Sequence, residues 1–74
     1  MFEKWYKIVG LTKELANCWR AELRQDIIVW EEKNGDIEAR IRLNPIEATQ
    51  MRFMMKRNNK QQEYYKLGLV PVKG

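Results

Sequence analysis

Apolar and charged residues alternate strictly over residues 36–43. Ile37, Ala39, Ile41 and Leu43 fall on one side, and Asp36, Glu38, Arg40 and Arg42 on the other. A period of two this clean predicts a strand with one buried and one wet face. The preceding stretch 26–32 is rich in β-branched residues, and Lys33-Asn34-Gly35 separates the two. Asn-Gly supplies the positive φ angles of a tight turn, so residues 26–43 are expected to form a hairpin. In its first strand Ile27, Val29 and Glu31 oppose Ile28, Trp30 and Glu32, which leaves apolar residues on both faces. Trp30 therefore needs cover, which the N-terminal segment is in a position to supply.

The period then changes to that of a helix. Asn44 suits an N-cap, Pro45 the first helical position, and Glu47 the closing position of a capping box. The helix is expected from Pro45 to about Arg57, or as far as Lys66, with Asn58-Asn59 a weak point in propensity. On its wheel Ala48, Met51, Met54, Met55 and Tyr65 share one arc. Arg52, Lys56, Arg57 and Lys60 lie opposite, with Phe53 and Tyr64 between.

Before the hairpin the pattern is less regular. As one helix from Phe2 to Leu23, the apolar residues would change face near Gly10 and cover too wide an arc. A break there is more economical: a strand over roughly 3–9, Thr12 as N-cap, and a helix to about Gln25 whose Leu11, Leu15, Trp19 and Leu23 recur every fourth residue. After Gly68 the chain regains β character, and Pro71 confines residues 67–74 to an edge strand or an extended tail. The resulting order is β-α-β-β-α(-β), that of a ferredoxin-like α+β two-layer sandwich. The alternative is α-β-β-α, a hairpin packed between two helices.

Composition fits one domain spanning 1–74, near the lower size at which a core supports itself. Hydrophobic residues make up 45% and charged residues 32%, and eight aromatics form a large apolar load for so short a chain. Cys18 is the only cysteine, which rules out an internal disulfide. With no signal peptide, the expected compartment is the cytoplasm. The longest run of aliphatic or aromatic residues, Ile27 to Trp30, is too short to span a bilayer, so no membrane partner is expected.

Chemistry is mostly excluded. Histidine is absent, which removes the commonest general base and metal ligand. Cys18 lies near the apolar stripe of the first helix and is expected to be a buried, inert thiol. Phosphate-loop and dinucleotide fingerprints are missing. Asp26, Glu32, Asp36 and Glu38 sit among Lys33, Arg40 and Arg42, which favours a solvated ion-pair surface over a metal site. The expectation is a protein that is not an enzyme and carries no cofactor or metal.

Charge changes the picture. Residues 1–44 hold eight basic and eight acidic side chains, so the net +4 arises entirely from residues 45–74. Arg52, Phe53, Lys56, Arg57, Lys60 and Tyr64 on the outer side of the second helix combine phosphate-neutralising cations with rings that stack on bases. Arg40 and Arg42 would extend that surface. This points to DNA or RNA as partner, against the bland alternative of a solvated helix face with Phe53 completing the core beside Ile46. A different function class is a protein-binding regulator or inhibitor, of the kind small phage and mobile-element proteins supply. It would use Trp5, Tyr6, Trp30 and the methionines Met51, Met54 and Met55 as an interface, with another protein or a second copy of the chain as partner. Methionines at this spacing also fill ordinary cores.

The segment Ile41-Arg42-Leu43-Asn44-Pro45-Ile46-Glu47-Ala48 resembles the strand-to-helix step of ribbon-helix-helix DNA-binding proteins. That resemblance covers under a quarter of the chain and assigns it to no family. It implies that Glu38, Arg40 and Arg42 are the alternate polar side chains that a strand exposes to the major groove.

Overall fold

The computed structural model describes residues 2–73. The chain forms β1 (Lys4–Val9), α1 (Lys13–Glu22), a short 3-10 turn (Gln25–Ile27), β2 (Ile28–Lys33), β3 (Asp36–Leu43), α2 (Pro45–Gln61) and β4 (Gly68–Pro71). The strands build one antiparallel sheet in the order β2-β3-β1-β4. Element order and strand order together are those of the ferredoxin-like split β-α-β arrangement, and the α-β-β-α alternative is excluded because residues 4–9 are a central strand. The tail prediction resolves into an edge strand with Pro71 at its end; Met1 and Gly74 lie outside the described residues.

Local chemistry explains each element. Asn34 and Gly35 take φ values of 52° and 84°, the two positive angles that let β2 turn directly into β3. At the head of α2, Asn44 Oδ1 accepts from the Glu47 N–H at 2.8 Å, while Glu47 Oε1 accepts from the Asn44 N–H at 3.0 Å. Thr12 caps α1 by accepting from the Leu15 N–H at 3.2 Å. Gly10 joins β1 to α1 with φ +74°, and a Cβ there would meet the Lys66 carbonyl oxygen at 2.0 Å. Only glycine fits between β1 and the segment that leads into β4.

Both helices cover one face of the sheet. Inward residues meet in cross-strand rows: Ile28, Ile41 and Tyr6 in one, Trp30, Ala39, Ile8 and Leu69 in the next. Trp19, Ala48, Met51 and Met55 complete a single core with them, and Ile8, Ile41 and Met55 are sealed at its centre. Full burial of such a side chain stabilises by about 1.5–3 kcal/mol. Met51 and Met55 are thus core residues and Met54 packs at their margin, while Tyr6 is 7% exposed. Tyr6, Met51 and Met55 are therefore core residues rather than parts of a surface, while Trp5, Trp30 and Met54 remain partly exposed.

Three further expectations need correction. Trp30 is covered not by the N-terminal segment but by α1 and the turn after it. Its Nε1 donates to Gln25 Oε1 at 2.9 Å, and the Arg20 guanidinium lies 5.0 Å from its ring centroid. Cys18 is exposed, because α1 buries Ala16 and Trp19 and a residue one step before Trp19 is turned off that line. Tyr64 is not on α2: the helix ends at Gln61, and Tyr64 lies in the turn beyond, edge-on to Tyr65 with centroids 4.7 Å apart.

Candidate nucleic-acid interface

The inward line of α2 runs through Ala48, Met51 and Met55, all buried. At about 100° per residue, Phe53 then falls on the opposite side of the helix, at its outermost line. It is 66% exposed, and Ile46, two turns earlier on the same line, is 55% exposed. The expectation that Phe53 completes the core beside Ile46 therefore fails, because the methionines fill that space first.

Cations surround this ring. Lys56, Arg57 and Lys60 are exposed within one to two turns of Phe53, and with Phe53 and Asn59 they line a shallow depression on the helix. Among the described residues none of the three pairs with a carboxylate; the ion pairs are Lys7–Glu38, Arg24–Asp26, Lys33–Glu31 and Arg42–Glu3. Arg52 stands to the side of this group. Its Nη2 donates to the Leu69 carbonyl at 3.4 Å and its guanidinium lies 5.6 Å from the Tyr6 ring centroid. It borders the surface while bracing α2 against β4.

Arg40 and Arg42 do not join them. They project from β3 on the sheet face that carries no helix, opposite Lys7 and Trp5 respectively. Arg42 is held between Trp5, whose ring centroid is 6.0 Å away, and Glu3, whose Oε2 is 3.4 Å from Arg42 Nε. The Glu3 contact is ionic, since Nε is buried and finds no hydrogen-bond acceptor. Arg40 has no carboxylate partner among the described residues and helps line a trough of about 460 Å³ with Lys4, Trp5, Val29, Pro71 and Val72. The single surface expected from sequence is two surfaces separated by the thickness of the sandwich.

Shifted ionisations fall on Arg24 and Asp26, of which Arg24 lines a depression with Arg42, and on Tyr65. The Arg24 guanidinium, hydrogen-bonded to Asp26, holds that carboxyl below its usual range and is itself raised. Partial burial first, and the neighbouring Tyr64 second, push the Tyr65 phenol up. No group of His, Cys, Asp and Glu among the described residues is arranged to hold a metal ion. No helix of the described residues is long and apolar enough to cross a membrane.

Sequence reasoning missed the role of Asn59, which anchors the segment before β4. The positive φ at Gly10 was legible only as a break in pattern. No protein-family model, curated protein or solved structure matches the chain.

Proposed function

We propose that this protein is a non-enzymatic nucleic-acid-binding module whose contact surface is the outward face of α2. The observation that carries this is the exposed Phe53 ring set among Lys56, Arg57 and Lys60, none of them neutralised by a carboxylate among the described residues. Leaving a large ring in water forgoes its burial energy, and unpaired cations around it suit phosphates on either side of a stacked base. Arg52 borders the same surface.

The test is titration of fluorescent single-stranded and duplex oligonucleotides at low salt, with Lys56→Gln plus Lys60→Gln compared against Arg40→Gln. Loss of binding in the first variant only is the expected result. No retention of either oligonucleotide, or equal loss from Arg40→Gln, overturns the assignment.

A further inference from the structure

The helix-free face of the sheet carries an ordered pattern of charge. Outward along β3 stand Asp36, Glu38, Arg40 and Arg42, two negative and then two positive. The neighbouring strands repeat the segregation at two positions and offset it at one, where Lys33 lies opposite Asp36. Glu31 is the direct cross-strand partner of Glu38, and Lys7 that of Arg40. Like charges directly opposite each other destabilise a sheet. Among the described residues they are relieved by the contacts Lys7–Glu38 and Lys33–Glu31, each 3.6 Å. On the same face Trp5, Val29, Val70 and Val72 are 39–46% exposed.

A polyanion laid on this face would meet Glu31, Asp36 and Glu38. A second copy of the chain meets its own complement. The sign series along β3 inverts about its midpoint at Ala39, so a two-fold axis there, lying across the strands, reverses it. Arg40 then faces the partner's Glu38, and Arg42 the partner's Asp36, with every contact made twice. Two twisted sheets pack in this way with strands nearly aligned and about 10 Å between them, a gap that Arg and Glu side chains bridge. We infer that the open sheet face is a self-complementary homodimer interface, ordered by Arg40–Glu38 and Arg42–Asp36 pairs between copies.

Four strands about 4.8 Å apart make a face only about 19 Å wide. With six-residue strands about 20 Å long, the face covers about 400 Å², half of the roughly 800 Å² per partner of a standard stable interface. The dimer is therefore expected to be reversible and to depend on protein concentration.

Sedimentation velocity across the micromolar range tests this. The wild-type chain is expected to move from 9.0 kDa toward twice that mass as concentration rises. Arg40→Glu and Glu38→Arg should each abolish the shift, since each places like charges across the axis. Mixing these two variants should restore it as a heterodimer, and the double variant E38R/R40E should restore it as a homodimer. Far-ultraviolet circular dichroism of each variant separates lost association from lost folding. A wild-type chain that stays at monomer mass at the highest concentration overturns the inference. So does association unchanged by the single substitutions, or a folded charge-swapped variant that stays monomeric.

Discussion

Asn59 holds Leu67 by both of its backbone groups: Nδ2 donates to the Leu67 carbonyl at 3.1 Å, and Oδ1 accepts from the Leu67 N–H at 2.9 Å. One side chain thereby stands in for a strand partner and fixes where the chain re-enters the sheet after α2. Replacing it with leucine keeps the bulk and strands two part-buried backbone groups. Asn59→Leu should destabilise the fold by about 1–3 kcal/mol. A urea midpoint equal to that of the wild-type chain would show that water replaces both bonds.

The two positive-φ glycines should respond differently to the same change. Gly35→Ala meets no atom within 4 Å and incurs only the left-handed backbone penalty, about 1–2 kcal/mol. Gly10→Ala adds a collision with the Lys66 carbonyl oxygen and should cost about 1–3 kcal/mol more. Equal denaturation midpoints for the two variants would mean that the segment before β4 yields without strain.

Removing the cap of α2 should weaken the helix that carries the proposed binding surface. Asn44→Ala leaves the Glu47 N–H without its acceptor and should cost about 0.5–2 kcal/mol. Asn44→Asp, which keeps an acceptor at the same place, should retain most of the stability in the same urea titration.

Binding by α2 should carry a defined salt signature. With Arg40 and Arg42 on the far side of the sandwich, at most Arg52, Lys56, Arg57 and Lys60 reach one duplex. The log–log slope of affinity on salt should then lie at about −3 to −4, at roughly 0.9 per contact. Lys56→Gln with Lys60→Gln should flatten it by about two. Phe53→Leu should keep the slope and weaken single-stranded binding by about 1–3 kcal/mol, the worth of one stacked base. An unchanged single-strand affinity for Phe53→Leu would leave only phosphate contacts.

Patterns of period two and of helical capping made most of the architecture legible. The alternation from Asp36 to Leu43, the Asn34-Gly35 turn and the Asn44–Glu47 box are local, and nothing in the tertiary structure competes with them. The break at Gly10 was visible as a change of hydrophobic face. Its cause, the close passage of Lys66, lies 56 positions away and leaves no trace in local sequence. The site was half legible. The clustering of Lys56, Arg57 and Lys60 follows from spacing, whereas the exposure of Phe53 depends on the methionines having filled the core. Arg40 and Arg42 were grouped with α2 because strand parity tells which residues share a face but not which face the helices cover. Cys18 and Tyr64 were misplaced for related reasons: one sits a single step off a buried line, and the other lies just beyond the end of α2 at Gln61.

The position of β1 between β3 and β4 makes the sheet dependent on both ends of the folded chain. Without residues 68–71, β1 would present the backbone from Tyr6 to Val9, now paired with β4, as a free edge. Trp-Tyr-Lys-Ile-Val is strongly β-prone, and an uncovered edge of that kind templates pairing with other chains. Proteolytic loss of the last strand would therefore not yield a slightly shorter protein. It would yield a nucleus for aggregation, or an acceptor for any extended peptide able to replace the missing strand.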